Sequence, residues 1–223
     1  MCLVAGRVAQ KENVVEFVLG TYNQKKAEEL SALLVPYGIQ LHSLAEFDNA
    51  IEVEETGSTF AENAALKASE QAIQLQQWVI AEDSGLSVAA LDGAPGIYSA
   101  RFSGDEATDE KNNALLIERL ANVPYPQRDA FYTCHIALAN PTGEIILTCE
   151  DYCHGRIRSE PAGSGGFGYD PLFEVREYHK TFGELGSSVK SVLSHRSRAL
   201  RRFIPQLLQV VNRELNAGST TES

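Results

Sequence analysis

Glu82 and Asp83 are adjacent carboxylates that follow the apolar run Trp78-Val79-Ile80-Ala81. Carboxylates at the end of a buried strand are costly unless they bind a cation or perform chemistry. In open α/β sheets, ligands gather at the carboxyl ends of strands. Hard oxygen donors of this kind suit Mg²⁺, which takes one or two carboxylates together with substrate phosphates. Glu54 and Glu55 form a second acidic pair in the stretch Ile51 to Thr56. A plain reading stays open for each pair: a solvated acidic loop for Glu54-Glu55, and an Asx turn for Asp83-Ser84-Gly85.

Phosphate-binding chemistry is offered by Gly20-Thr21-Tyr22-Asn23-Gln24-Lys25-Lys26. Free N–H groups at a helix N-terminus attract phosphate, and Lys26 adds a cation one turn in. The pattern lacks the glycines of a Walker A loop, and an ordinary capped helix would look the same. Lys67 lies four residues after Asn63, so both point from one helix face. It either reaches a phosphate or extends to water.

Gly163-Ser164-Gly165-Gly166-Phe167-Gly168-Tyr169-Asp170-Pro171 combines backbone freedom, two aromatic faces and a carboxylate. A nucleobase pocket and a surface turn are both compatible with it. Lys190, His195 and Arg196 bring positive charge to the start of the last helix. Cations there oppose the helix dipole, so an anion or a base carbonyl explains them better.

The elements that must position these groups follow from pattern. Val14 to Leu19 reads as a strand, then comes a helix capped by Asn23 and closed by Gly38, then a strand over Ile39 to Leu44. Thr59 and Glu62 form a capping box that opens a helix running to about Gln76. Trp78 to Ala81 is a short buried strand ending at Glu82, and Asp109 to Leu120 is a helix. Phe131 to Ala139 and Glu144 to Tyr152 pair as a hairpin across the turn Asn140-Pro141-Thr142-Gly143. Leu172 to Val175 is a further strand. Leu200, Phe203, Ile204, Leu207, Leu208 and Val211 share one face of a C-terminal helix that Pro205 bends. The result is a mixed α/β domain over residues 13–215, with a lead-in at 1–12 and a polar tail at 216–223.

Composition narrows the partners. With 223 residues and 43% hydrophobic side chains the chain can bury a core without disulfides. The net charge of −11 argues against broad nucleic-acid binding. No stretch is apolar enough to span a bilayer, and no signal peptide is expected. Cys2, Cys134, Cys149 and Cys153 are too few for a disulfide scaffold, which points to reduced thiols in the cytosol. Cys149, Cys153 and His154 fit no zinc spacing and read as a hairpin strand with buried thiols.

Taken in order, the blocks Thr21 to Lys26, Glu55 to Ala64, Glu82 to Leu86, Gly93 to Arg101, Glu160 to Gly163, Phe167 to Pro171, Lys180 to Leu185 and Ser194 to Arg196 resemble the inosine triphosphate pyrophosphatase family. The similarity runs from about Phe17 to Leu208. It implies an elongated mixed β-sheet flanked by helices, with a cleft between two lobes. It implies Mg²⁺-dependent hydrolysis of ITP, dITP or XTP to the monophosphate and pyrophosphate, by a cytosolic homodimer that cleanses the nucleotide pool.

By the same resemblance Asp83 is general base and metal ligand, and Glu55 is the second metal residue, with Glu54 as the alternative. Thr21, Tyr22, Asn23, Gln24, Lys25, Lys26, Lys67 and Ser84 hold phosphate. Phe167, Gly168, Tyr169, Asp170, Lys190, His195 and Arg196 hold base and sugar. Tyr22 stands where the family usually has glycine, and Glu82 where it often has aspartate. Rival readings are a pyrophosphatase for other modified nucleotides, a nucleotide-binding regulator without turnover, and a carboxylate-pair glycosidase.

Overall fold

The computed structural model describes residues 15–218, so the 1–12 lead-in and residues 219–223 of the tail lie outside it. Seven strands form one sheet in the order β2-β1-β3-β4-β5-β6-β7. These are β1 (Val15–Leu19), β2 (Ile39–Ser43), β3 (Val79–Val88), β4 (Asp129–Ala139), β5 (Ile145–Ile157), β6 (Phe173–Val175) and β7 (Lys180–Thr181). β1 runs parallel to β2 and β3, and every later pairing is antiparallel. The expected elements are present, and the hairpin strands extend further at their outer ends than the sequence pattern indicated.

Among the described residues five α-helices flank the sheet: α1 (Gln24–Leu34), α2 (Phe60–Leu75), α3 (Asp109–Arg119), α4 (Phe182–Leu193) and α5 (His195–Gly218). Strand alternation sorts the core between faces. Leu19, Ile80, Ile136 and Leu138 meet α1 and α5 on one face, through Leu30, Leu34, Phe203 and Leu207. Val18, Val79, Ala81, Ala137 and Ala139 meet α2 on the other, through Ala64, Ala68 and Ala72. Alanine on both partners lets α2 lie close to the sheet. A third cluster, around Phe173, Tyr132, Leu172 and Phe182, builds the β6 end.

Two helices differ from expectation. α4 is not among the elements expected from the sequence, and its Gly183, Gly186 and serines are weak helix formers. Thr181 and Glu184 nevertheless cap it reciprocally, and it kinks at Gly186, where φ is 75°. α5 begins at His195 and continues through 216–218, residues expected to be tail. Lys190 therefore lies in the last turn of α4, where a cation favours the dipole, while His195 and Arg196 open α5. At α2 the capping box is half formed. Thr59 Oγ1 accepts from Glu62 N, but the Glu62 carboxylate takes Ser58 N and Oγ.

The acidic pair does not end a strand. β3 continues to Val88, so Glu82 and Asp83 lie in its interior. The expected stop at Ser84-Gly85 fails because Gly85 serves close approach: a Cβ there would come within 2.5 Å of Ser99 Oγ and 2.6 Å of Gly96 O. β1 ends opposite Ile80, and beyond that point β3 has no strand on its β1 side. The segment around the short 3-10 helix Gly96–Arg101 covers that edge again, with Ser99 Oγ accepting from Leu86 N and Ala94 O from Val88 N. A notch remains in the sheet between them.

Candidate active site

The notch holds two connected pockets. One, of about 230 Å³, is lined by Thr21, Tyr22, Asn23, Lys26, Glu55, Lys67, Asp83, Ser84 and Arg101 among others. The second is lined by Phe167 to Asp170, Tyr132, Lys190, His195 and Arg196. Asn23, Lys26, Ser84 and Ala100 line both, so the two form one cleft around the open edge of β3.

Adjacent strand residues point to opposite faces, which separates Glu82 from Asp83. Asp83 turns toward α2. Its Oδ1 accepts from Lys67 Nζ at 3.0 Å and its Oδ2 from Asn63 Nδ2 at 3.3 Å. Lys67 Nζ also donates to Glu55 Oε1 at 2.9 Å, and Arg101 reaches Glu55 Oε2 at 3.3 Å. One stripe of α2 thereby holds the whole acidic loop, because Asn63 Oδ1 accepts from Gly57 N and Gln71 bonds both backbone groups of Ile51. Glu55 faces the cavity, while Glu54 is exposed with no side-chain partner among the described residues. Burial raises the pKa of Asp83 above its usual 3.8, against the pull of Lys67. The same opposing causes leave Glu55 lowered, because Lys67 and Arg101 outweigh its partial burial.

Glu82 turns the other way, toward α5. Its carboxylate accepts Arg196 Nε at 2.8 Å and Nη2 at 3.0 Å, pairs with Lys26 at 3.1 Å, and accepts the Cys134 thiol. Burial works against its charge, but Arg196 and Lys26 prevail and hold the pKa well below 4.5. Arg196 also donates to Glu29 and to Ser84 Oγ. Its guanidinium is thus held by two carboxylates while still lining the second pocket. Glu82 is an anchor, and Asp83 alone of the pair faces Lys67 and Glu55.

At the base end, Lys190 donates to Asp170 Oδ2 at 2.6 Å and pairs with Glu29 at 3.0 Å. Phe167 N donates to that same Asp170 oxygen at 2.9 Å. Asp170 therefore closes its own loop instead of offering Oδ2 to a ligand. Tyr169 is buried, with its hydroxyl on Ser99 O. Phe167 presents its ring to the ammonium of Lys190, 4.2 Å from the centroid. His195 stacks on Tyr132 at 4.6 Å between centroids. Its Nδ1 has no partner among the described residues, and burial together with Arg196 pushes its pKa well below 6.5. Gly168 N donates to Asp109 Oδ2, at the start of α3.

The phosphate loop is ordered by its cap, Asn23 Oδ1 accepting from Lys26 N. Tyr22 stands 57% exposed, with its hydroxyl 3.4 Å from Ile51 O, and so bridges this loop to the acidic one. Gln24 is exposed and lines neither pocket. Lys25 sits 3.8 Å from Asp109 and faces Phe167 instead of the phosphate end. Sequence reasoning missed Arg101, Asn63's double role and Glu29. Only the i, i+4 spacing of Asn63 and Lys67 hinted at any of them.

Gly166 gives a local test of the base loop. Its φ is +77° and a Cβ would lie 2.0 Å from Asp170 Oδ2. Gly166→Ala should displace Asp170 from Lys190 and raise the Michaelis constant without a matching loss of turnover. Steady-state kinetics check this, and an unchanged Michaelis constant would refute it.

The sequence profile of the Ham1 family matches residues 17–206. The chain belongs to the Ham1 family. It is 56% identical to the dITP/XTP pyrophosphatase of Rhodopirellula baltica over 196 residues, 88% of this chain and 94% of that one. It is 47% identical to the dITP/XTP pyrophosphatase of Desulforamulus reducens, covering 89% and 96% of the two chains. A solved HAM1 protein from Coxiella burnetii superposes with a TM-score of 0.80 at 38% identity, covering 87% of this chain and 99% of that one. The resemblance read from the motif blocks is borne out, and so is the mixed α/β fold. As a Ham1 family member the chain carries its cleft where the matched region folds, since every lining residue falls within 17–206.

No three His, Cys, Asp or Glu side chains converge to cage an ion among the described residues. Cys149 and Cys153 are buried free thiols, as the strand reading expected. A Mg²⁺ site of two carboxylates completed by phosphate and water needs no such cage. Glu55 and Asp83 fit that donor set, and the Lys67 ammonium between them shows that the site accommodates positive charge. No helix is long and apolar enough to cross a membrane among the described residues.

Proposed function

We propose that the chain hydrolyses deaminated purine nucleoside triphosphates, ITP, dITP and XTP, to the monophosphate and pyrophosphate. The observation that carries this reading is the single cleft. It joins a buried carboxylate beside a phosphate loop to an aromatic pocket with a neutral, unpartnered histidine nitrogen. The names of the relatives support the substrate class.

The chain's own groups then divide the work. Asn23 and the free N–H groups at the start of α1 hold phosphate, with Lys26 reaching it from the same turn. Asp83 takes the proton of the attacking water, and its burial, which raises its pKa above the usual 3.8, makes it the more basic of the two carboxylates facing the cavity. Attack falls on the α-phosphorus, and Lys67, Arg101 and Lys26 stabilise the leaving pyrophosphate. Glu55 and Asp83 would hold Mg²⁺, which when bound supplies charge neutralisation at the phosphates. The homodimer and the cytosolic location are proposed with the same reading and rest on the family resemblance.

Base choice falls to His195. A neutral imidazole offers one donor and one acceptor, and a 6-keto purine can pair where a 6-amino purine leaves a buried group unmatched. His195→Phe preserves the stack on Tyr132 and removes both nitrogens. It should raise the Michaelis constant for ITP by up to about tenfold, the worth of one neutral hydrogen bond, and leave ATP handling unchanged. Equal effects on ITP and ATP would remove His195 from base recognition.

Pyrophosphate release from ITP, XTP, GTP, ATP and dUTP, with and without Mg²⁺, tests the whole reading. Fast metal-dependent release from ITP and XTP supports it. Preference for a pyrimidine keeps the chemistry and overturns the base pocket. Tight binding without any turnover means a nucleotide-binding regulator.

A further inference from the structure

Lys67 holds an unusual position for a phosphate-binding lysine. It comes from the middle of α2, only 13% of its side chain is exposed, and its Nζ sits between Glu55 Oε1 at 2.9 Å and Asp83 Oδ1 at 3.0 Å. Those are the two carboxylates assigned to a metal ion. The ammonium bridges them, so both of these negative charges already have a positive partner. Arg101 supplies a second cation to Glu55. A divalent ion arriving alone would have to part Lys67 from both carboxylates. It would leave the ammonium part-buried without a partner, a costly state.

We infer that Lys67 is the resident counter-ion of the metal-binding carboxylates, exchanging Glu55 and Asp83 for substrate phosphate when metal and nucleotide enter together. This deepens the function proposed above and rests on its metal assignment. The exchange leaves no charge unpaired, because the triphosphate accepts the ammonium as the cation takes its place. Lys67 has the means to move, as its flexible stem carries a point charge with three rotatable donors. Asn63, by contrast, keeps Asp83 Oδ2 and Gly57 N tied while Lys67 leaves. Free metal therefore binds the empty cleft weakly, and metal with triphosphate binds cooperatively. Lys67 is in this sense a gate on the order of binding as well as a phosphate ligand.

The test is Mn²⁺ binding to the full chain without nucleotide, followed by electron paramagnetic resonance. Lys67→Met should bind Mn²⁺ at least about tenfold more tightly than the natural chain, equivalent to about 1.4 kcal/mol. Lys67→Arg, which keeps the charge, should bind it as weakly as the natural chain. Equal Mn²⁺ affinity in the natural chain and Lys67→Met overturns the inference and leaves the metal assignment standing. No Mn²⁺ binding to either, with or without an α,β-imido triphosphate, overturns both. A second measurement needs no variant: acylation of Lys67 in the natural chain, read by mass spectrometry, should rise several-fold when Mn²⁺ alone saturates the site. Unchanged labelling at saturation would show that the ion and the ammonium do not compete.

Discussion

Asp83→Asn lowers turnover of ITP by about 10²–10⁴-fold, the range typical for loss of a positioned general base, while nucleotide binding stays within a few-fold. The substitution keeps the size of the side chain and the bond from Asn63, so the fold around it is retained. It removes the one carboxylate that is buried, faces the phosphate cavity and has its pKa raised by burial. Glu55 cannot substitute, because Lys67 and Arg101 hold its pKa down and it lies on the opposite side of the ammonium. Steady-state kinetics with pyrophosphate detection, paired with equilibrium binding of an unhydrolysable analogue, separate the two effects. Near-normal turnover would strip Asp83 of its role.

Glu82→Gln, one residue away, has a different and equally large consequence: it destabilises the fold by about 3–5 kcal/mol, the cost of breaking a buried ion pair from one side. Glu82 is 1% exposed and receives two bonds from Arg196, itself 1% exposed, as well as the ammonium of Lys26. Glutamine would leave both cations under-compensated. Adding Arg196→Leu to Glu82→Gln should recover part of the loss, since the two changes are coupled. Urea unfolding midpoints decide this, and a midpoint for Glu82→Gln equal to that of the natural chain would show that Glu82 is no anchor. The same measurement carries a pH signature. Glu82 has a depressed folded pKa, so its contribution is complete above about 4.5 and is lost as the pH falls below that. His195 also has a depressed folded pKa, but it is a base. The unfolded chain binds a proton below about 6.5 that the folded chain refuses, so stability declines by up to about 1.4 kcal/mol per unit from there downward. His195→Phe removes that second decline.

Much of the cleft was legible in the chain because its parts are local. Asn23 caps α1 as its side chain and place before the helix required. The i, i+4 spacing of Asn63 and Lys67 put both on one face of α2, and both do meet Asp83. The Gly-rich run at 163–171 folds into one wall of the second pocket. Other parts misled for reasons that can be named. Ser84-Gly85 resembles a strand end, yet Gly85 is there for the approach of Ser99 and Gly96, residues eleven or more positions later. The glycines and serines of α4 hid a helix that the Thr181–Glu184 cap sustains. Arg196 read as a free cation because Glu82 is 114 residues distant in sequence.

Sequence alone determined most of the elements, the family and the residue types available for chemistry, since motif spacing, capping and periodicity act over a few residues. The tertiary structure decided which of those residues work together. Glu82 and Asp83 look like a pair along the chain, but a strand sends neighbours to opposite faces, and the helices waiting there differ. One offers Arg196 and turns its carboxylate into a structural tie. The other offers Lys67 and Asn63 and leaves its carboxylate facing the phosphate cavity. Charge pairing depends on distance in space and on exclusion of water, neither of which is written in the order of residues.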